Sequence, residues 1–316
     1  MKASFITAYG GKEVISYGDL KDPELSANGV LVRVKASSIN PLDYKIKSGA
    51  LKFISPAGFP RILGSDFSGI IEKTGAEVSR FRPGDKVYGA VPVMFGKPGA
   101  LAELVLALQE NLRLMPGNLS FEEAASLPVG ALTALSGLRK GETGPGKKVL
   151  VNGATGGVGH FGVQIAKAMG AYVTATCSSA NSEFARSLGA DRVTGYSKEE
   201  LLSLEDKYDL ILDAYGKMDY PVVYKLLGRG GTYASTLFMP YKALRKLFSR
   251  IAHGKTLTSS NMRALPGDYD ELEKLLAEKK VKPFIGKTFT LDQTAEAFEY
   301  AEKGHPRGKI IVTVNS

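Results

Sequence analysis

The segment Asn152-Gly153-Ala154-Thr155-Gly156-Gly157-Val158-Gly159 decides the fold expected for this chain. It follows the apolar run 149–151, which is typical of a buried strand, and it leads into residues 158–169, where apolar side chains recur with a helical period. Gly156 allows a phosphate to approach the backbone, and Gly159 allows the helix to pack closely on the strand. The first turn of such a helix directs free amides and a positive dipole end toward an anion.

Against the pattern G-x-G-x-x-G, the segment has Ala154 in the first position. The alternative interpretation is a structural turn, which would not require three glycines so close together. We therefore predict that residues 154–159 bind the pyrophosphate of a dinucleotide.

The part of the chain around this segment alternates strictly between strand and helix patterns. Predicted strands lie at 148–152, 172–176, 192–194, 209–213 and 231–234. Predicted helices lie at 158–169, 183–188, from 199 onward, and at 220–227. This alternation predicts an α/β fold with a doubly wound parallel sheet.

The chain on either side of this region has a different pattern. Short strands at 29–36, 69–74, 85–88 and 102–106 are separated by Gly and Pro, which predicts a compact, mostly β domain. A capping box, Ser120-Phe-Glu-Glu123, begins a helix that Pro128 interrupts and that runs to about Lys140. The C-terminal part has predicted helices at 268–280 and 294–302 and strands at 287–290 and 310–314. We predict a discontinuous β domain, residues 1–121 and 264–316, with the dinucleotide-binding domain, 122–263, inserted into it.

The composition excludes several classes of protein. A hydrophobic fraction of 44% with 23% charged residues is ordinary for a soluble globular protein, so disorder is not expected. A single cysteine, Cys177, excludes an intrachain disulfide and a cysteine-built zinc site. The three histidines, His160, His253 and His305, are far apart and fit no metal-ligand pattern. The chain shows neither a secretory signal nor an apolar run of roughly 18 residues, so we expect a cytoplasmic protein.

The end of the second predicted strand bears on the choice of dinucleotide. An NAD site normally has Asp or Glu there to bind the ribose hydroxyls, whereas this chain has Thr176-Cys-Ser178-Ser179-Ala-Asn181. Hydroxyl and amide groups suit a 2′-phosphate, so we predict NADPH, with Ser178, Ser179 and Asn181 among its ligands. Arg186 and Lys198 would add positive charge to this site if their side chains point toward it, and the sequence leaves that orientation open. Tyr196 either closes over the phosphate or adenine edge or packs on its own loop.

Several segments along nearly the whole chain carry a family resemblance. They lie at 38–49 (Ser-Ile-Asn-Pro-Leu-Asp-Tyr-Lys-Ile-Lys-Ser-Gly), 59–69, 82–89, 124–128, 132–135 and 186–191, together with the glycine-rich segment. With them the chain resembles the zinc-free medium-chain dehydrogenases/reductases of the quinone oxidoreductase branch. Within this branch it is especially similar to the chloroplast-envelope quinone oxidoreductase homologues and the enone and alkenal reductases. The resemblance implies a GroES-like catalytic β domain and a Rossmann domain.

The resemblance also implies an activity: NADPH-dependent, zinc-independent transfer of a hydride to a quinone or to an α,β-unsaturated carbonyl compound. Zinc-dependent relatives have a cysteine where Asn40 stands and Gly-His-Glu where Gly64-Ser65-Asp66 stands, and both differences remove zinc ligands. A homodimer is implied as well, paired through a strand near residues 257–260.

Individual roles follow by resemblance, each beside a structural alternative. Lys45 matches a lysine that contacts cofactor and substrate, and its neighbour Tyr44 joins it as a catalytic candidate; the alternative is a solvated helix surface. Asn40, a third catalytic candidate, and Thr133 match positions near the nicotinamide; the alternatives are a turn former for Asn40 and an internal helix residue for Thr133. The remaining predicted cofactor contacts are Leu237, Arg307 and Lys309. The segment 305–309 is otherwise a plain loop, and Asp66 is given only a supporting role.

The net charge of +9 keeps a second function open. Residues 241–255 combine Lys242, Arg245, Lys246 and Arg250 with apolar residues at helical spacing. The alternative is therefore a non-catalytic, NADPH-regulated protein of the same fold that binds RNA or an anionic membrane surface. The same helix is also compatible with a core-facing element whose basic side is solvated. Related enoyl thioester reductases carry a tyrosine shortly after the Ser-Gly that stands here at 48–49. Residues 50–53 contain no tyrosine, which disfavours an enoyl thioester as the substrate.

Overall fold

The chain forms two compact units in the computed structural model, which describes residues 1–56, 58–237, 254–262, 266–304 and 306–314. Unit 1 comprises Met1–Val129 and Pro283–Ser316, and unit 2 comprises Gly130–Lys282. The helices of the described residues include none that is both long and apolar enough to cross a membrane.

The strands follow the predicted pattern, with additional short strands within the first 114 residues. In chain order they are β1 (Lys2–Ile6), β2 (Ile15–Asp19), β3 (Gly29–Ile39), β4 (Arg61–Ile62), β5 (Asp66–Thr74), β6 (Lys86–Ala90), β7 (Leu104–Leu108), β8 (Leu112–Leu114), β9 (Lys148–Asn152), β10 (Tyr172–Thr176), β11 (Arg192–Thr194), β12 (Tyr208–Asp213), β13 (Leu227–Ser235), β14 (Thr256–Ser259), β15 (Ile285–Thr290) and β16 (Lys309–Thr313).

The α-helices of the described residues connect these strands. They are α1 (Pro41–Lys47), α2 (Phe121–Ala125), α3 (Pro128–Lys140), α4 (Gly159–Ala168), α5 (Ser182–Ser187), α6 (Lys198–Leu202), α7 (Tyr220–Leu226), α8 (Pro266–Ala277) and α9 (Thr294–Glu302).

Unit 1 is built on a mixed sheet whose strand order is β15-β16-β3-β5-β6-β8, with β7 also paired to β3. A small sheet in the order β2-β1-β4 accompanies it. The long strand β3 pairs antiparallel with β5, β7 and β16, so it forms the centre of the unit. Val30, Val32 and Val34 alternate along it and are fully buried in the core, as is Phe67 of β5. The predicted β-rich domain is confirmed.

Unit 2 contains a parallel sheet in the order β11-β10-β9-β12-β13-β14. Numbered from β9, this is the order 3-2-1-4-5-6 of a dinucleotide-binding sheet, and the chain direction across it reverses between β9 and β12. The strands are continuous apolar runs because helices cover both faces of such a sheet. Val149, Val151 and Ile211 are fully buried. The predicted doubly wound fold is confirmed.

Helix α8 lies in unit 2, although the predicted domain limit at 263/264 assigned it to the β domain. Arg139 of α3 forms ion pairs with Asp268 and Glu271 of α8. Beyond the helix, the Gln164 side chain of α4 exchanges two hydrogen bonds with the backbone of Lys282, at 2.9 and 3.0 Å. These long-range contacts place the second boundary at 282/283. The first compact-unit boundary, 129/130, also lies beyond the predicted 121/122.

Candidate functional site

The glycine-rich loop joins β9 to α4, and three of its glycines have distinct geometric surroundings. Gly153 has a φ of 73°, in the left-handed region that favours glycine. A Cβ on Gly159 would lie 2.1 Å from the Gly153 carbonyl oxygen, so α4 can approach the loop only without a side chain there. A Cβ on Gly156 would meet that oxygen at 3.5 Å and nothing nearer, so the backbone at Gly156 borders open space. An open backbone beside the free amides of a first helical turn fits a pyrophosphate.

Two further elements of unit 2 approach this loop. A Cβ on Gly130 of α3 would lie 2.8 Å from the Gly157 carbonyl oxygen, so the start of α3 packs against the loop. Thr133 stands three residues later, on the same face of α3, which puts it on the side of the helix that faces the loop. Leu237 follows β13 and contacts the 214–218 loop, where a Cβ on Gly216 would meet its side chain at 2.6 Å. All predicted cofactor residues of unit 2 except Thr133 follow carboxyl ends of parallel strands.

The end of β10 has the polar character that the sequence predicted. Asn181 is buried, and its amide donates to the Thr155 hydroxyl of the glycine-rich loop at 3.4 Å. Ser178 is half-buried and Ser179 is exposed. Burial raises the pKa of the Cys177 thiol, while a hydrogen bond with Ser182 and the charge of Arg186 oppose that rise. The guanidinium of Arg186 therefore acts on the end of β10, where a phosphate would gain from a positive charge. Tyr196 follows β11 and is 53% exposed.

In unit 1 a buried polar cluster joins the ends of β3, β5 and β16. We define the Asp66 cluster as Ser38, Asn40, Asp66 and Lys309, all less than 5% exposed. The Lys309 ammonium donates to Asn40 Oδ1 at 2.6 Å and to Asp66 Oδ2 at 3.1 Å. Asp66 Oδ2 also accepts from the Ser38 hydroxyl at 2.7 Å and from Asn40 Nδ2 at 3.0 Å. Asp66 Oδ1 accepts from the Val129 amide at 2.9 Å, so both carboxylate oxygens are occupied.

A second buried carboxyl group, Asp43, lies next to this cluster at the third position of α1. It accepts hydrogen bonds from the backbone amides of Asn40 and Gly64, at 2.8 and 2.9 Å. Burial raises the pKa of Asp43 to about 7, although the two amides and the charge of Lys309 oppose the rise. The neighbouring charge of Asp66 acts in the same direction as burial. Asp43 therefore ties the first turn of α1 to the Gly64 backbone and titrates near neutrality.

The residues at the zinc positions of metal-dependent relatives do not fit zinc. Asn40 offers an amide already bonded to Lys309, and Asp66 is bonded to the same ammonium. Ser65 is buried, and its hydroxyl has no hydrogen-bond partner within the described residues, but a neutral hydroxyl is a poor zinc ligand. Among those residues, no three His, Cys, Asp or Glu side chains lie close enough together to bind a metal ion. The Lys309 ammonium is bonded to the Asp66 carboxylate, which a metal ion at this position would need as a ligand.

The remaining predicted residues of unit 1 lie at the same end of β3. Tyr44 and Lys45 are partly buried on α1, so Lys45 is not a fully solvated surface lysine. Lys47, its neighbour on α1, is buried; its ammonium lies 3.0 Å from Glu302 and donates to the Gly10 carbonyl oxygen at 3.2 Å. Arg307 is exposed just before β16. Lys309 was predicted as a cofactor ligand, but two of its three N–H donors go to Asn40 and Asp66; its cofactor contact stays a prediction.

Two buried carboxylates were missed in the sequence, Asp43 and Asp213. Asp213 ends strand β12 after an apolar run, and Asp43 is the third residue of α1, where its carboxylate accepts from the Asn40 amide as part of a capping box. Of the residues singled out in the sequence, His253, His305 and 241–253 lie outside the described residues, so the RNA- or membrane-binding alternative stays a prediction. The catalytic and cofactor roles of the individual residues stay predictions as well.

Comparison with known proteins identifies the family. Residues 26–117 match the alcohol dehydrogenase GroES-like domain, and residues 188–312 match the family described as zinc-binding dehydrogenase. The mitochondrial NAD(P)H oxidoreductase RTN4IP1 of Mus musculus is 35% identical over 99% of this chain and 89% of its own length. The chloroplastic NADPH-dependent alkenal/one oxidoreductase of Arabidopsis thaliana is 34% identical over 99% of this chain and 79% of its own.

A solved structure agrees with these relatives. The quinone oxidoreductase from Coxiella burnetii is similar with a TM-score of 0.90 and 32% identity, covering 100% of this chain and 99% of that one. The protein is thus an oxidoreductase that uses a nicotinamide dinucleotide, and the glycine-rich loop of unit 2 fits that cofactor. With its GroES-like unit, its Rossmann sheet and these whole-length matches, the chain belongs to the quinone oxidoreductase branch of the medium-chain dehydrogenases/reductases.

Proposed function

We propose that this protein transfers a hydride from NADPH to a quinone or to the conjugated double bond of an α,β-unsaturated carbonyl compound, without a metal ion. The Asp66 cluster carries this proposal, because a buried ammonium neutralises the only carboxylate at the positions where zinc-dependent relatives bind their metal. The family sets the reaction type, and the names of the relatives, alkenal/one oxidoreductase and quinone oxidoreductase, support these two classes of acceptor.

The preference for NADPH over NADH rests on the end of β10. Residues 177–182 contain no carboxylate that would repel a 2′-phosphate, and they offer the hydroxyls of Ser178 and Ser179. The charge of Arg186 acts on the same strand end. An anionic 2′-phosphate is stabilised by these donors and by this charge, whereas a ribose hydroxyl pair gains nothing from the charge.

The residues of unit 1 have to stabilise the charge that develops on the acceptor. When bound, the reduced nicotinamide supplies the hydride, and a proton from solvent completes the two-electron reduction. Negative charge builds up on the acceptor oxygen, and one well-placed donor is worth about 3 kcal/mol of transition-state stabilisation. We assign that donation to Lys45, with Tyr44 beside it on α1. Asp43 holds the first turn of α1 to Gly64 and so fixes the direction of the helix.

Assembly and location belong to the proposal as well. Strand β14 is the last strand of the parallel sheet of unit 2, and its outer edge is not paired within the described residues. Two copies that pair through β14 would continue the sheet, which is the homodimer that the family resemblance implies. The cytoplasmic location predicted from the sequence stays a prediction.

The proposal is tested by following NADPH oxidation, with NADH in parallel, in the presence of a metal chelator. The acceptors are a benzoquinone, phenanthrenequinone, a short enone and a 2-alkenal. We expect turnover with NADPH that the chelator leaves unchanged and that exceeds turnover with NADH at equal concentration. Loss of activity on chelation, restored by zinc, would contradict the metal-free mechanism. Binding of NADPH without turnover of any acceptor would contradict the proposed substrate classes.

A further inference from the structure

Four adjacent strands of unit 2 carry a buried chain of hydrogen bonds at their carboxyl ends. Thr176, Asn152 and Asp213 are the last residues of β10, β9 and β12, and they lie in register with one another. Tyr233 belongs to β13, two residues before Ser235, which pairs with Asp213. We call these four side chains the carboxyl-edge network; none is more than 6% exposed.

The hydrogen bonds run continuously across the sheet. The Tyr233 hydroxyl donates to Asp213 Oδ2 at 2.6 Å, and Asn152 Nδ2 donates to Asp213 Oδ1 at 2.7 Å. Asn152 Oδ1 in turn accepts from the Thr176 hydroxyl at 2.7 Å. The Thr176 oxygen then accepts from the Gly153 amide at 3.2 Å. The network therefore ends on the first residue of the glycine-rich loop.

Asp213 also binds the neighbouring loop directly. Its two oxygens accept from the backbone amides of Gly216 and Met218, at 2.8 and 3.0 Å. Gly216 has a φ of 80°, so the turn that presents these amides depends on a left-handed residue. The same loop contacts the glycine-rich loop, because a Cβ on Gly153 would lie 3.3 Å from Tyr215. One carboxylate thus fixes both loops that follow the central strands.

Ion pairing does not explain why Asp213 is buried. No Lys or Arg of the described chain forms an ion pair with it, and four neutral donors satisfy its oxygens instead. A buried carboxylate is costly, because it loses its hydration. The carboxylate, however, accepts four donors at once, and this geometry holds two loops in one arrangement.

We infer that the carboxyl-edge network is a positioning device for the dinucleotide, in which Asp213 holds the glycine-rich loop and the 214–218 loop in the arrangement that binds the cofactor. The inference rests on the proposed function only in requiring that unit 2 bind a nicotinamide dinucleotide. Burial raises the pKa of Tyr233, with the charge of Asp213 acting in the same direction, so its hydroxyl stays a donor at every physiological pH.

The same sheet supplies a matched control. Tyr208, also buried, donates to the Thr174 hydroxyl at 3.2 Å, and Thr174 precedes Thr176 by two positions on the same face of β10. Neither Tyr208 nor Thr174 contacts either loop through its side-chain hydrogen bond. Tyr233→Phe and Tyr208→Phe therefore each remove one buried hydroxyl from the same sheet, and Thr176→Val and Thr174→Val do so for threonine.

The test measures the Kd of NADP⁺ by isothermal titration calorimetry in these four variants, together with their thermal midpoints. Tyr233→Phe and Thr176→Val should raise the Kd about tenfold, roughly 1.4 kcal/mol, whereas Tyr208→Phe and Thr174→Val should leave it within about twofold. The thermal midpoints of the two tyrosine variants should fall by similar amounts, because each loses one buried hydrogen bond. Thr176→Val loses two hydrogen bonds, to Asn152 and from the Gly153 amide, so its midpoint should fall further than that of Thr174→Val. Amide hydrogen exchange of apo protein should be faster over residues 153–159 in the two network variants alone.

Equal Kd values within both pairs, in protein whose wild type binds NADP⁺, would overturn the inference and leave the proposed function standing. A wild type that fails to bind NADP⁺ would instead overturn the proposed function and, with it, the ligand that the network serves. Unchanged exchange over residues 153–159 in Thr176→Val would also count against the inference, even if that variant bound NADP⁺ weakly, since the loop would then keep its arrangement.

Discussion

The two units each bury a carboxylate at their functional edge, but they satisfy it in opposite ways. In unit 1, Asp66 accepts from the Lys309 ammonium and from three neutral donors, so a formal charge balances it inside the protein. In unit 2, the donors to Asp213 among the described residues are all neutral: Asn152, Gly216, Met218 and Tyr233. Both carboxylates are fully buried.

The difference separates stability from positioning. Asp66 lies on β5 and Lys309 on β16, and both strands are held in the sheet by backbone pairing with β3. The Asp66–Lys309 ion pair therefore affects mainly the free energy of unfolding of unit 1, because it offsets the cost of two buried charges. Asp213 instead binds backbone amides of a loop that has no ladder of its own. Loss of a partner should therefore cost unit 1 mainly free energy of unfolding, and it should cost unit 2 mainly ligand affinity.

The largest effect is expected for Lys309→Met. The substitution leaves Asp66 buried without a cation, and loss of one partner of a buried pair typically costs about 3 to 5 kcal/mol. Lys47→Met is the matched control, because Lys47 is equally buried but its partner Glu302 is one-third exposed and can be hydrated. We expect the control to lose less than half as much free energy of unfolding in urea, followed by circular dichroism. Equal losses for both variants would remove the distinction between the two kinds of pair.

The next largest effect concerns the pH dependence of unit 1. The folded pKa of Asp43, about 7, lies above its ordinary value of 3.8, so the folded state holds a proton that the unfolded chain releases between about pH 4 and pH 7. Stability from this group is therefore present at low pH and is lost as the pH rises toward 7. Asp43→Asn cannot ionise and lacks this dependence.

The free-energy gap between wild type and Asp43→Asn should consequently shrink by about 3 kcal/mol between pH 5 and pH 8. The measurement is urea unfolding of both proteins at the two pH values. A gap that is constant, or that grows with pH, would show that Asp43 is ionised throughout this range. Ser120→Ala, which removes no titratable group, should show a constant gap and serves as control.

Within unit 2, two glycines of the same loop separate packing from binding. Gly159→Ala places a Cβ 2.1 Å from the Gly153 oxygen, so we expect a loss of about 2 kcal/mol in stability together with loss of dinucleotide binding. Gly156→Ala meets no atom nearer than 3.5 Å, so stability should change by less than about 0.5 kcal/mol. NADP⁺ affinity should nevertheless fall at least about tenfold, because the methyl group fills the space needed by the pyrophosphate.

Thermal midpoints and Kd values of the two glycine variants provide the measurement. Normal NADP⁺ binding by Gly156→Ala would place the pyrophosphate elsewhere. A stable Gly159→Ala would show that α4 can move away from the loop at little cost.

Local sequence signals predicted most of the fold. Strands β9, β10 and β11 and helix α9 have the predicted bounds, because each is an apolar run or amphipathic segment ended by Gly, Pro or a capping residue. Strand β13 is longer than predicted: it begins at Leu227 and contains Gly228, Gly230 and Gly231, which interrupt any strand pattern. Leu227 and residues 232–235 pair with β12, and residues 232–235 pair with β14, so the glycines lie in an irregular stretch between paired positions. Such pairing is not visible in a local window of sequence.

The site was predicted less completely than the fold, for the same physical reason. The glycine-rich loop is local, and its geometry fits its predicted task. Asp66 and Lys309, by contrast, are 243 residues apart, and Asp213 collects donors from two other strands and a loop. Such pairs produce no periodicity or spacing in the sequence. The placement of α8 failed in the same way, because the ion pairs of Arg139 span more than a hundred residues.

The smallest expected effect is the loss of one helix N-cap, which gives a reference cost for the larger effects. Helix α2 of unit 1 and helix α6 of unit 2 each begin with a capping box: Ser120 with Glu123, and Ser197 with Glu200. Both serines lie outside the two buried networks, so Ser120→Ala and Ser197→Ala report the ordinary cost of one cap, about 1 kcal/mol. We expect Ser120→Ala to cost more, because α2 buries Ala124 and Ala125 against the sheet, whereas α6 buries only Leu201 and can fray alone.

Urea unfolding measures both caps. If either serine variant cost as much as Lys309→Met, the large effect in unit 1 would no longer be specific to a buried charge. If Ser197→Ala weakened NADP⁺ binding, it would do so through its neighbour Tyr196, and the interpretation of Tyr196 as a cofactor contact would gain support over packing on its own loop. An unchanged Kd would favour packing of Tyr196 on its own loop and would leave the glycine-rich loop and the carboxyl-edge network as the elements on which dinucleotide binding depends.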